Sequence, residues 1–249
     1  MNQLLTVNIV RTRYSDARNL KKKIFDARLE ERIPDVLLLT EHENVFTLGK
    51  GADENHLLAG ENELLDKGID VFAIDRGGDV TYHGPGQLVG YPILNLNNYY
   101  HDIHRYLRDI EEVLIRTIGD FGMQGTRSDG YTGVWVKNEK IAAIGVKVSR
   151  WITMHGFALN VNTDLSFFDR IIPCGIFHKG VTSLREIGGL EYDLNMVGEK
   201  VIVNFESVFS VSARQIPLPE LHELMSDKDE RIDAVKRETR RDKSTLIEE

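Results

Sequence analysis

Cysteine occurs once in the 249 residues, at Cys174, so no intramolecular disulfide can form and a cysteine-rich zinc site is excluded. A lone thiol suits a reducing compartment, and the cytoplasm is the expected location. Long apolar runs are missing too. No stretch is long enough to span a bilayer, and the opening MNQLLTVNIVRTRY alternates polar and apolar residues where a secretion signal would be continuously apolar. Nor is there an excess of positive charge: the net charge of −8 argues against general binding to nucleic acid or an anionic membrane. One cationic cluster, Arg11, Arg13, Arg18, Lys21, Lys22 and Lys23, reads as a solvated helix face. Prolines number only six, and no Pro/Ser-rich linker or repeat divides the chain.

What remains is ordinary globular composition, 41% apolar and 28% charged, in a chain long enough to bury a full core. LLTVNIVR (4–11) reads as a strand, followed by helix formers to about Arg32, and DVLLLTEH (35–42) as a buried strand. ENELLDKG is a short helix stopped by Gly68, IDVFAID (69–75) a strand, and LVGYPILNL (88–96) another. Ile103, Tyr106, Leu107, Ile110, Val113 and Leu114 recur at three and four, predicting one apolar face of a helix over 103–118. GVWVK (133–137), KIAAIGVKVS (140–149) and ITMHGFALNVN (152–162) form a meander, its first turn at Asn138-Glu139. Val197, Val201, Phe205 and Val208 mark a last amphipathic helix. Strands and helices without regular alternation favour a mixed-sheet α/β sandwich over a doubly wound sheet. One catalytic domain is expected over residues 1–220, with 221–249 a charged tail, either a solvated helix or disordered.

The densest cluster of unusual residues is RGGDVTYHGPGQ (76–87). Its glycines have the wrong spacing for a dinucleotide fingerprint, and β-type sequence follows where a phosphate-cradling helix would be needed. Arg76, Tyr82 and His83 add donors and flat apolar surface, which suits the wall of a pocket for an elongated ligand with an apolar body and a polar head. Cys174 sits in a Pro-Cys-Gly turn. It is either a small buried hydrophobe or a thiol presented at a pocket edge, and no base adjoins it in sequence. Lys140 and Lys147, seven apart, fall on opposite faces of an unbroken strand. Lys140 would share its face with Ala142, Ile144 and Val146, an apolar setting that lowers an amine's pKa, although it also adjoins a turn where exposed lysines are common. His83, His155 and His178 have no metal-binding spacing, so His83 and His155 read as hydrogen-bonding pocket residues, and His101 and His104 as surface.

Four ordered blocks, RGGDVTYHGPGQLVGYPI (76–93), GVWVKNEKIAAIGVKVSRWITMHGFALNVNTDL (133–165), RIIPCGI (170–176) and VTSL (181–184), resemble the lipoyl(octanoyl) transferases. The resemblance covers roughly residues 30 to 210. It implies the fold of the biotin/lipoate protein ligase catalytic domain and transfer of an octanoyl group from octanoyl-acyl carrier protein to a lysine ε-amine. The implied acceptors are the lipoyl domains of 2-oxoacid dehydrogenases and the glycine cleavage H protein. It places the catalytic pair on Cys174 and Lys140. It places substrate-binding segments on Arg76, Gly77, Gly78, Asp79, Val80, Thr81, Tyr82 and His83, on Ala143, Ile144 and Gly145, and on Gly156, Phe157 and Ala158. It implies no metal and no cofactor. The rivals are an ATP-dependent lipoate or biotin ligase, which has no use for a nucleophilic cysteine, and a non-catalytic acyl-carrier-binding module.

Overall fold

A computed structural model describes residues 2–172 and 180–226, the side chains of Glu54 and Glu61 excepted. Cys174, His178 and the residues beyond Ser226 lie outside the described residues. The elements are β1 (Asn2–Asn8), α1 (Tyr14–Leu29), β2 (Asp35–Thr40), β3 (Val45–Leu48), α2 (Glu61–Asp66), β4 (Asp70–Ala73), β5 (Val80–His83) and β6 (Gln87–Ile93). Then come α3 (Ile103–Gly119), β7 (Thr126–Ser128), β8 (Tyr131–Val136), β9 (Glu139–Ser149), β10 (Ile152–Asn160), α4 (Leu184–Gly188), α5 (Leu194–Phe209), β11 (Val211–Gln215) and α6 (Leu218–Met225).

Among the described residues, eight strands form one mixed sheet in the order β11-β1-β2-β6-β10-β9-β8-β7. β1 runs parallel to β2 and β11, and the other pairings are antiparallel. The buried run of β2 shows how the layers arise. Leu37 and Leu39 face a core shared with α3 and α5, while Val36 and Leu38 face one shared with α1 and α6. A smaller sheet, β4-β3-β5, encloses a third core around Phe46, Val80, Tyr82 and Phe168. This is the mixed-sheet α/β sandwich expected, with helices on both faces.

Three expectations need correction. The packed domain does not stop at residue 220: α6 runs to Met225 and buries Leu221 and Met225, because its apolar positions meet the core under β1 and β2. The β8–β9 turn is Lys137-Asn138, not Asn138-Glu139, since Val136 pairs with Glu139 and Lys137 takes a φ of 54°. On α3, Tyr106, Ile110, Val113 and Leu114 are buried as the spacing predicts, but Ile103 is 41% exposed and Leu107 only partly buried. Those two lie at the side of the helix that reaches the cavity described next.

Candidate active site

A cavity of about 620 Å³ lies between the β9–β10 face of the main sheet and the small sheet. The sheet leaves room for it by carrying small residues in register: Ala143 opposes Ala158, and Gly145 opposes Gly156. The opposite wall is the stretch leading into β5. Gly78 holds a φ of 90°, which folds the backbone back past Gly49 and Gly51. The motif's later glycines have another purpose: at Gly86 a Cβ would lie 2.7 Å from the backbone of Asn162.

Arg76, Gly77, Gly78, Asp79, Val80, Thr81, His83, Ala143, Ile144, Gly145, Gly156, Phe157 and Ala158 all line this cavity, with Lys140. Tyr82 does not. Strand alternation turns it into the third core, where it stacks on Phe167 at 4.6 Å and its hydroxyl donates to Asn44 Oδ1 at 2.8 Å. Arg76 donates to Thr47 O at 2.8 Å, and Asp79 is held by His56 at 2.5 Å. The Gly77 N–H goes to Val146 O and the Val80 N–H to Asp79 Oδ1, so neither is open to an oxyanion.

The lysines depart from the expected geometry. Trp135 pairs with Lys140 and Val134 with Ala142, so β9 spends an extra residue, Ile141, against one step of β8. Ile141 and Ala142 both enter the core under α3. This bulge reverses the alternation. Lys140 therefore faces away from Ala142, Ile144 and Val146, and it shares a face with Ala143, Gly145 and Lys147. Its Nζ lies 4.8 Å from the centroid of the Trp135 ring, at the cavity. Lys147 instead reaches Asp75, 2.5 Å away. Asp75 also accepts from His155 Nε2 at 2.8 Å. Partial burial would raise the Asp75 carboxyl, but these two donors hold it well below the usual carboxylate range. His155 is pushed down to about 4 by burial and by Lys21, so it is neutral.

A chain of hydrogen bonds ties the motif to Lys140. Gln87 Nε2 donates to Tyr82 O and to Asn160 Oδ1, which leaves Gln87 Oε1 to accept from His83 Nδ1 at 2.7 Å. Asn160 in turn donates to Thr182 O, and the Thr182 N–H to Lys140 O. His83 thus carries its proton on Nδ1, and burial keeps it neutral, well below its ordinary pKa. The residues flanking 173–179 also reach this site. The Ile172 N–H donates to His56 O, and Gly180 O accepts from the Lys140 N–H at 2.9 Å.

Sequence reasoning missed the inner end of the cavity, which is walled by Tyr14, Val89 and Tyr91 with Lys21 behind them. The basic cluster is solvated at Arg11, Arg13, Arg18, Lys22 and Lys23, but Lys21 is 1% exposed. The signal was available: Tyr14, Ala17, Lys21 and Ile24 repeat at three and four along α1, so Lys21 sits on its apolar stripe. Metal-binding clusters of His, Cys, Asp or Glu are absent among the described residues. No helix of the described residues is long and apolar enough to cross a membrane.

Residues 13–206 match the family model of the lipoyl protein ligase A/B catalytic domain. The chain belongs to this family. An octanoyltransferase of Rubrobacter xylanophilus is 53% identical over 199 residues, 79% of this chain and 89% of that protein. One from Christiangramia forsetii is 48% identical over 209 residues, with the same coverages. Among solved structures, lipoate-protein ligase A bound with ATP superposes with a TM-score of 0.70 at 14% identity, covering 90% of this chain and 92% of that one. A bi-partite lipoate protein ligase from Thermoplasma acidophilum gives 0.68 at 14% identity, over 90% and 89%. At such identity these two speak for the fold alone.

Proposed function

We propose that this family member is an octanoyltransferase, moving an octanoyl group from octanoyl-acyl carrier protein to a lysine ε-amine on a lipoyl domain. The observation that carries this is its identity of about half with curated octanoyltransferases over most of both chains. The geometry supports it. The cavity is lined largely by apolar groups and small residues, as an alkyl chain requires, and one lysine, Lys140, faces it beside the segment that leads to Cys174.

In this reading Lys140, as ammonium, favours the thiolate of Cys174. The thiolate attacks the carbonyl of the octanoyl thioester, the bond to the carrier's sulfur breaks, and the departing thiolate takes a proton from Lys140. An octanoyl-Cys174 thioester and a neutral Lys140 result. Exchange of one thioester for another is nearly balanced, so no ATP is consumed. Lys140 then removes a proton from the incoming lysine ammonium. The free amine attacks the thioester, the proton it sheds on becoming an amide passes to solvent, Cys174 leaves as thiolate, and the downhill formation of an amide drives the step.

Incubation with octanoyl-carrier protein alone, followed by intact-mass measurement, tests this. An octanoyl adduct is expected, and it should be absent in Cys174→Ala. No adduct, or one that survives that substitution, refutes the mechanism. Lipoylation that instead requires ATP and free lipoate would replace it with the ligase reaction.

A further inference from the structure

The cavity has an exposed rim and a buried end. Its exposed lining residues include Ile103, Gly130, Tyr131 and Gly180 and, beside Val146, Gly77. Tyr14, His83, Val89 and Tyr91, all buried, close the far end. Gly90 pairs with Phe157, and Phe157 with Ile144, four residues along β9 from Lys140, so Tyr91 stands across β10 from the middle of β9. A chain whose carbonyl reacts beside Lys140 and runs along β9 approaches the two tyrosine rings.

Lys21 stands directly behind those rings. Its Nζ is 3.6 Å from the centroid of Tyr91 and 4.8 Å from that of Tyr14. The side chain cannot move aside, because its helix is pinned by Ala17 and Ile24 in the same stripe. Tyr91 is fixed from the other direction: it lies 2.6 Å from His42 Nε2, while His42 Nδ1 donates to Thr12 O. Neither Lys21 Nζ nor Tyr14 Oη has a hydrogen-bond partner. Lys21 meets the two ring faces without a hydrogen bond, and its side chain fills the space between α1 and the rings.

We propose that Lys21 sets the length of acyl chain the cavity accepts, by holding the rings of Tyr14 and Tyr91 across its inner end. A longer chain must displace a ring, and the ring has nowhere to go while the four-carbon stem fills the space behind it. Removing the stem opens that space to the ring or to the chain. Lys21 is thus a positioning residue: it shapes the site through the two tyrosines. The inference rests on the reading that this cavity holds an acyl chain.

The test measures equilibrium binding of octanoate, decanoate and dodecanoate by calorimetry to wild type, Lys21→Ala and Lys21→Met, with a thermal melt of each. Wild type should favour octanoate. Each further methylene that becomes buried is worth about fourfold in affinity, so Lys21→Ala should raise the decanoate-to-octanoate ratio about fifteenfold. Lys21→Met keeps an unbranched stem and should keep the wild-type order. A folded Lys21→Ala with the wild-type order overturns the proposal, as does Lys21→Met shifting as far as Lys21→Ala. Should Lys21→Ala not fold, Lys21→Leu, which is shorter but helix-compatible, is held to the same criterion. If wild type binds none of the acids, the acyl reading of the cavity itself fails. Binding by wild type with an unshifted variant fails only the role of Lys21.

Discussion

Replacing Lys21 with methionine should stabilise the protein at neutral pH, and by less as the pH rises. Burial lowers the Lys21 amine to about 7, whereas an unfolded chain holds a lysine near 10.4. Between these values the unfolded state binds more protons than the folded one, so wild-type stability must increase with pH across that window. The linkage relation gives a cost of about 4 kcal/mol for this one group at pH 7 and about 2 kcal/mol at pH 9. Its neighbours do not confuse the reading. His42 and His155 are both pushed down to about 4 by burial, and His83 lies well below its ordinary value. Burial pushes Tyr14 up to about 12 and Tyr91 well above its ordinary value, while Asp75 stays ionised. Urea denaturation of wild type, Lys21→Met and the exposed control Lys22→Met at pH 7, 8 and 9 provides the measurement. The advantage of Lys21→Met should shrink by about 2 kcal/mol from pH 7 to pH 9, and Lys22→Met should track wild type. An advantage that is flat with pH, or a Lys21→Met less stable than wild type at pH 7, would refute the assignment of a buried amine.

Four other outcomes are expected. Lys140→Ala should slow alkylation of the single thiol and move its pH midpoint upward, while Lys147→Ala, whose partner is Asp75, should leave both unchanged. Ala143→Leu should fill the cavity and weaken octanoate binding at least tenfold by calorimetry, with the melting temperature little altered, because the new side chain enters open space. Gly156→Ala should cost about 1–3 kcal/mol in urea denaturation, since a Cβ there would sit 2.1 Å from the backbone oxygen of Gly90. Arg28→Met removes the cation from Asp35, a buried carboxylate 2.7 Å from the Arg28 Nε that then keeps only the Asn95 N–H and the Tyr99 hydroxyl as donors, and should cost about 3–5 kcal/mol in urea denaturation.

The elements that sequence made legible are those whose burial pattern is simple. β2 is buried on both faces and reads as an unbroken apolar run, and α3 repeats apolar residues along one stripe. β11 was not legible because it is an edge strand with little of its surface buried. Within the site, the residues of the motif and of the β9–β10 ladder were identified by resemblance, and most line the cavity. Tyr82 was misplaced although strand alternation alone separates it from His83. The side on which Lys140 lies could not be read at all. It depends on one extra residue at Ile141, and an apolar run of Ile141, Ala142 and Ala143 gives no sign of where a ladder slips. Lys21 was misassigned because charge was weighed above position: a lysine among lysines looks solvated until its helical spacing is counted.

The bulge at Ile141 also explains why two lysines on one strand can face the same cavity-bearing side without competing. In a regular strand Lys140 would be buried in the core under α3, among Ile144 and Val146. There its amine would be turned away from the cavity. The slip turns Lys140 toward the cavity at the cost of one unpaired residue, and Ile141 offsets that cost by burying its own side chain fully. Lys147 then also faces this side, but Asp75, itself bonded to His155, engages it at the far end of the ladder. The ion pair with Asp75 engages Lys147, while Lys140 lies at the cavity beside the segment that leads to Cys174.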